Sequence, residues 1–449
     1  MAFVGIRSGL RWRVLKLSPP ALLASFYLVL VVLGGVFLHL PFANTGGLTV
    51  MDTLFTSMSA VTVTGLTVVD TGGDYTLAGQ AGILVLMQLG GLGLVTFAVF
   101  VLASLGVQLG LGQRLILRED LNQSSFGDLM QLVKTVFVVA LGCEAVGAIL
   151  LAIVFVPDHG WGPGLWAAVF HAVSAFNNAG FSLWSESLVD YATDPVVNIV
   201  VPMLFIIGGL GFVVLNDIRR KRSWRRFTLH SKIMLVMSLV LIFYGWATFA
   251  ILEWTNPGTL GAYDDAVSRL VVSWFQAVTP RTAGFNTIDT GEIRDSTALM
   301  TMTLMLVGAG STSTAGGIKV TTFAVLILAT LAFFRRESEL HLFRRSLGVD
   351  EVMKVLALTV VSMLIVLSAI FFVSITHDGS FLSLAFEICS AFGTVGLTMG
   401  ATPELDTFGR LVVMTVMFLG RVGPLTLGFF IATHSAARVR YPPGRIFLG

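Results

Sequence analysis

Four short stretches decide how this chain folds: Thr62-Val63-Thr64-Gly65-Leu66, Asn177-Asn178-Ala179-Gly180-Phe181, Arg281-Thr282-Ala283-Gly284-Phe285 and Gly393-Thr394-Val395-Gly396-Leu397. Their glycines are separated by 115, 104 and 112 residues, a spacing that marks an internal repeat. Each turn follows a semi-apolar stretch, at 53–62, 164–176, 267–279 and 380–392, too short to cross a bilayer and suited to a re-entrant half-span. A second mark keeps step with the first. Leu89-Gly90-Gly91-Leu92-Gly93, Ile207-Gly208-Gly209-Leu210-Gly211, Val307-Gly308-Ala309-Gly310-Ser311 and Leu419-Gly420-Arg421-Val422-Gly423 follow their turn glycines by 25, 28, 24 and 24 residues. Small residues at such spacing are common where membrane helices pack, and packing is the plainer reading for Gly90–Gly93 and Gly208–Gly211.

The sequence around these turns is overwhelmingly apolar. Of 449 residues, 55% are hydrophobic and 12% charged, about half the usual soluble share of roughly 25%. The mean hydropathy is +0.86. A soluble chain of this length would need far more polar surface to cover its core. A net charge of +2 argues against a nucleic-acid binder. Two cysteines, Cys143 and Cys389, are too few for a disulfide framework or a Cys-rich metal site.

Eight segments are long and apolar enough to span: 21–40, 75–113, 135–156, 195–216, 233–252, 296–334, 355–377 and 411–437. The first is too long for a signal-peptide core and lacks a convincing cleavage site, so it is expected to stay as a span. Basic residues crowd alternate connections: Arg7 to Lys16, Arg114 to Lys134, Arg219 to Arg226, Arg335 to Arg345, and Arg438 to Arg445. The opposite connections carry Asp158, Asp264, Asp265, Glu404 and Asp406. The bias places both termini in the cytoplasm.

Each unit therefore runs span, half-span, glycine turn, span. An even number of crossings per unit makes the repeats parallel around an axis along the membrane normal, where inverted repeats would need an odd number. The expected fold is all-α and integral to the membrane, with four pore repeats at 21–113, 131–217, 229–335 and 351–437. A cytoplasmic N-terminal segment (1–20) and C-terminal tail (438–449) flank them. Irregular backbone at membrane depth must be buried or line a wet cavity. Glycine at each apex admits positive φ, so carbonyls from four turns can form rings that replace a cation's hydration shell. Each half-helix also aims its partially negative C-terminus at the centre.

The sixth span is interrupted by Gly308-Ala309-Gly310-Ser311-Thr312-Ser313-Thr314-Ala315-Gly316-Gly317. Each glycine costs a helix roughly 1 kcal/mol relative to Ala, so this middle is expected to be unwound. It is no phosphate-binding loop: Lys319 lacks the Walker spacing and no strand precedes it. Arg421 falls in register with Gly91, Gly209 and Ala309. An arginine at membrane depth points to function by default, against a structural pairing with Glu144 or with backbone carbonyls. Glu144 itself is open between that pairing and simple packing. His171 is expected on a half-helix surface rather than as a ligand. An intramembrane enzyme is disfavoured, because neither H-E-x-x-H nor G-x-S-x-G occurs.

Val278-Thr279-Pro280-Arg281-Thr282-Ala283-Gly284-Phe285-Asn286 closely resembles the third pore loop of the potassium-translocating subunits of the Trk/Ktr/HKT superfamily, and Ala315-Gly316-Gly317-Ile318-Lys319 resembles their intramembrane gate. The similarity extends over essentially the whole chain and is closest to the Ktr branch, since the additional N-terminal spans of Trk members are missing. The resemblance implies potassium at the carbonyls of a filter made by Thr62–Gly65, Asn177–Gly180, Arg281–Gly284 and Gly393–Gly396. It implies a gate of Gly308, Gly310, Ser311, Thr312, Ser313, Thr314, Gly316, Gly317 and Arg421, the arginine acting as an electrostatic barrier. It also implies a bacterial cytoplasmic membrane, a homodimer with one pore per chain, and a KtrA-type cytoplasmic ring that carries the nucleotide, this chain holding no cofactor. The basic run Arg219–Arg226 and the connection 335–350 are the faces expected to meet that ring. A sodium-permeable or sodium-coupled transporter of the same superfamily is the alternative. In plant HKT relatives a serine at the first filter position accompanies sodium, and Gly65 stands there in this chain.

Overall fold

The computed structural model describes residues 19–93, 126–311, 313–336, 340–343 and 345–423. The expectations for 1–18, 94–125, Thr312 and 424–449 lie outside them.

The first unit comprises α1 (Pro19–His39), α2 (Val50–Val61) and α3 (Leu77–Gly91). The second comprises α4 (Phe126–His159), α5 (Trp161–Phe176), α6 (Pro195–Leu210) and α7 (Phe212–Lys221). In the third, α8 (Leu229–Glu253) and α9 (Ala266–Val278) precede α10 (Asp295–Leu306) and α11 (Val320–Phe334). The last holds α12 (Val349–Thr376), α13 (Phe381–Gly393) and α14 (Thr407–Val422). The described residues are therefore mainly helical, with one departure from all-α among them. A small antiparallel hairpin, β1 (Leu340–Leu342) and β2 (Arg345–Leu347), follows α11.

Three described helices are long and apolar enough to cross a membrane: Val133–His159, Leu229–Glu253 and Val349–Thr376. They present large apolar side chains outward, Ile149, Ile251 and Leu364 among them, as lipid-facing helices do. The four half-helices α2, α5, α9 and α13 lie where the sequence placed its short stretches, and their C-terminal turns are buried.

Local chemistry fixes where the inner helices begin. Thr76, Asp194 and Asp406 cap α3, α6 and α14 by accepting from the amides of Gly79, Val197 and Gly409. Each such cap contributes about 1 kcal/mol. Arg294 at the start of α10 has no capping side chain, and its amide donates instead to Glu253 Oε1 at 3.0 Å.

The fourth predicted span, 195–216, is not continuous. α6 ends at Leu210, Gly211 takes φ +92°, and α7 leaves at 92°. Packing alone is therefore too small a role for the mark at Gly208–Gly211. Its first glycine does pack, since a Cβ on Gly208 would collide with Phe176 O, and the same holds for Gly90 with Val61 O and Gly420 with Phe392 O. Its last glycine is a backbone break: Gly93, Gly211 and Gly423 all have positive φ. In the third unit the break lengthens into the loop 308–317, between α10 and α11.

Candidate functional site

The four glycine turns meet. A Cβ built on Gly65 would collide with Ala179 O and lie 3.0 Å from Gly180 Cα; one on Gly180 would lie 2.9 Å from both Ala283 O and Gly284 Cα. One on Gly284 would meet Val395 O and lie 3.2 Å from Gly396 Cα, and one on Gly396 would meet Thr64 O and lie 3.1 Å from Gly65 Cα. Each glycine thus faces the carbonyl of the next turn, and the series closes on itself. Side chains are excluded at these points by backbone on every side.

The backbone repeats this pattern in detail. Gly65, Gly180, Gly284 and Gly396 have φ of +89, +68, +78 and +99°, and two residues earlier Val63, Asn178, Thr282 and Thr394 have φ of +51, +57, +71 and +51°. Left-handed backbone is uncommon outside glycine and a true outlier for β-branched residues, at about 1–3 kcal/mol each. The intervening amides anchor back into the half-helices: Thr64 to Ser59 O at 2.8 Å, Ala179 to Ser174 O at 2.8 Å, Ala283 to Thr279 O at 3.0 Å and Val395 to Ser390 O at 2.9 Å. Hydroxyls at Ser59 and Ser390 also accept from Gly65 and Gly396, each at 3.0 Å. Donors spent on the half-helices leave the turn carbonyls available for a cation.

The loop 308–317 lies against this ring. Its ends are tied together: Gly308 N donates to Ile318 O at 2.8 Å and Ile318 N to Leu306 O at 3.2 Å. Gly310 N donates to Gly209 O at 2.8 Å, and a Cβ on Gly316 would collide with Thr394 Oγ1. Arg421 donates to Thr314 O, to Gly90 O and, at 3.3 Å, to Gly91 O. Backbone carbonyls and, at 3.4 Å from its Nε, the Tyr27 hydroxyl are therefore its partners rather than Glu144, and it clamps the loop to the end of α3. Lys319 Nζ folds back onto Ala315 O at 2.7 Å. Of the predicted gate residues, Thr312 lies outside the described structure.

In the second and third turns the first residue, Asn177 or Arg281, bonds to groups behind the ring. Asn177 Nδ2 donates to Gln88 Oε1 at 2.7 Å and to Glu144 Oε1 at 3.1 Å, and Gln88 Nε2 donates to Glu144 Oε2 at 3.2 Å. Glu144 is thus a buried brace for the second turn. In the third unit Arg281 reaches α8 instead, donating to Ser238 O and Ser238 Oγ, each at 3.3 Å. Its Nε–H has no partner among the described residues. It borders a cavity of about 20 Å³ lined by Phe205, Gly209, Leu210, Ser238, Val278 and Ala309.

The sequence misplaced His171. It is buried, not on a half-helix surface: Trp184 stacks on it at 4.3 Å, and its ring nitrogens contact Ala167 O at 2.8 Å and Ser182 Oγ at 3.0 Å. Glu387 was not singled out, yet it braces the chain beyond the fourth turn, accepting from Thr398 Oγ1, from Thr402 Oγ1 at 2.5 Å and from Met399 N at 3.1 Å. An acidic residue inside an otherwise apolar half-helix was the available signal. Among the described residues no cluster of His, Cys, Asp and Glu could hold a metal ion.

Buried carbonyls converging within an apolar helical bundle define a membrane protein that transports cations, not an enzyme. The chain belongs to the family TrkH, cation transport protein, whose model matches residues 23–441. It is 47% identical over 440 residues to the Ktr system potassium uptake protein B of Bacillus subtilis (strain 168), covering 98% of each chain. It is 42% identical to the protein of the same name from Vibrio alginolyticus, covering 96% of this chain and 95% of that one. The crystal structure of the potassium transporter TrkH from Vibrio parahaemolyticus superposes with a TM-score of 0.74 at 19% identity, over 93% of this chain and 86% of that one. That likeness establishes the shared fold.

Proposed function

We propose that this chain takes up potassium across the cytoplasmic membrane of a bacterium through a filter of backbone carbonyls at Thr62–Gly65, Asn177–Gly180, Arg281–Gly284 and Gly393–Gly396. The observation that carries this is the closed series in which each turn glycine faces the next turn's carbonyl. Such a ring offers dehydrated cations several oxygens at once and offers anions nothing. The relatives named as potassium uptake proteins support potassium as the cargo.

In this reading the four units, 21–113, 131–217, 229–335 and 351–437, are parallel pore repeats with eight spans in total, and both termini are cytoplasmic. The loop 308–317 and Arg421 form the gate, consistent with the loop's position against Thr394 and Gly209. The functional unit is a homodimer with one pore per chain. A soluble KtrA-type ring holds the regulatory nucleotide and drives the gate from the cytoplasmic side.

The test is ion flux into liposomes holding the purified chain. Potassium uptake should exceed sodium uptake under equal gradients. Equal or faster sodium uptake would replace potassium with the sodium alternative.

A further inference from the structure

We propose that Asn178 couples the loop 308–317 to the second and third turns and thereby sets ion discrimination, a role that rests on the filter and gate reading above. Asn178 sits in left-handed backbone at φ +57° and is 1% exposed. Its Oδ1 accepts from Thr314 Oγ1 at 2.7 Å, and its Nδ2 donates to Thr282 Oγ1 at 3.2 Å. One amide thus joins the loop, the second turn and the third turn.

Chemistry and position single this residue out. A carboxamide is a rigid plane with a donor on one side and an acceptor on the other, so it can hold two hydroxyls at a fixed separation. The matching residues of the other turns are Val63, Thr282 and Thr394. Val63 has no polar side-chain atom, and Thr394 Oγ1 has no hydrogen-bond partner among the described residues. Asn178 is also confined: a Cβ on Gly208 would come within 2.9 Å of its Oδ1, and one on Gly209 within 3.6 Å of its Nδ2. With both ends of its amide held by hydroxyls, a displacement of Thr314 is passed to the second and third turns. All four turns carry left-handed backbone at this position, and the amide joins two of them, at Asn178 and Thr282, so losing it frees the carbonyls those two turns carry to shift. Coupling of this kind is reciprocal, so whatever biases the loop biases the filter and the converse.

The experiment measures the potassium-to-sodium permeability ratio and the total flux in liposomes. Thr314→Val keeps the side chain's shape and removes its donor. The ratio should fall roughly two- to tenfold, the span a single buried hydrogen bond commands. Thr314→Ser, which restores the hydroxyl, should return the ratio to that of the parent. Thr282→Val should lower the ratio similarly, and the double variant should fall no further than the larger single effect, because both act through one amide. Additive falls would overturn the coupling. So would equal rises in potassium and sodium flux in Thr314→Val with an unchanged ratio, which is how a simple plug behaves. Gly65→Ser is run alongside. If that variant too leaves the ratio unchanged, the filter reading has failed and the coupling with it; if only Thr314→Val is silent, the coupling alone is wrong.

Discussion

Gly65 occupies left-handed backbone at φ +89°, with Ala179 O where a side chain would begin. Two independent costs therefore meet any replacement there: a strained φ and a collision with a ring carbonyl. Gly65→Ser should reduce potassium-to-sodium discrimination at least tenfold, roughly 1.4 kcal/mol between the two ions, while the protein still inserts and folds. A flux ratio equal to the parent's would overturn the filter reading. The glycines were legible in the sequence because a Cβ at each would run into the next turn's carbonyl, and their spacing counted the turns. The side chains behind the ring were not. The hydrogen bonds of Arg281 run to Ser238, 43 residues away, and the stack on His171 comes from Trp184 on a loop beyond the turn. Contacts of that range leave no periodic trace, so a buried histidine and a surface one read alike.

At the scale of elements, α3, α6 and α14 each run up to a glycine of positive φ that the sequence disguised. Gly-x-x-Gly fits helix packing and also ends in a glycine free to reverse the backbone, and here both properties are used. Only the third break has enough small polar residues to announce itself as a loop. Arg421 holds that loop through Thr314 O and holds α3 through Gly90 O. Arg421→Ala should raise basal potassium flux in liposomes, and deleting 308–317 should raise it further, because the first loosens an obstacle and the second removes it. A folded deletion variant with lower flux would make the loop a support for the filter. On the far side of the α6 break, α7 turns into α8 at a corner held by Asp217. It accepts from Thr228 N at 2.8 Å and Ser231 Oγ at 2.8 Å and pairs with Lys221 Nζ at 2.6 Å. Burial pushes its carboxyl up, but the Lys221, Thr228 and Ser231 contacts outweigh this and hold it below the ordinary value of 3.8. A lowered native value means stability that is present above that ordinary value and lost as pH falls through the native one. Asp217→Asn should cost about 1–3 kcal/mol at neutral pH, and its thermal-unfolding deficit in detergent should shrink as pH falls below about 4. A deficit that stays constant with pH would assign the loss to packing.

The last unit is tied to the first at one seam, and the basic residues gather at another surface. Arg410 on α14 pairs with Asp52 on α2 at 2.7 Å, joining the last unit to the first. On the side that carries the basic residues, the two faces suggested by sequence prove to be neighbours. Phe343, in the β1–β2 turn, packs edge-on against Trp224 at 6.2 Å, and Lys232 Nζ lies 5.8 Å from its ring. Arg225 and Arg226 sit beside Trp224, and Arg335 and Arg336 close α11; all four are exposed. A gate shifts only when something binds its two states with different free energy. α11 begins directly after the loop 308–317 and ends at this surface, so force applied at Arg335 has a helix of 15 residues through which to reach the loop. On the proposed regulation by a ring, the basic run serves as a supporting contact and α11 as the transmission element. Glutamate at both Arg335 and Arg336 should weaken binding of the nucleotide-bearing ring at least tenfold and abolish its stimulation of flux. Flux without the ring should stay at the parent's level, because neither residue touches the filter or the loop. A pull-down showing undiminished ring binding, with undiminished activation in liposomes, would move the docking site elsewhere on the molecule.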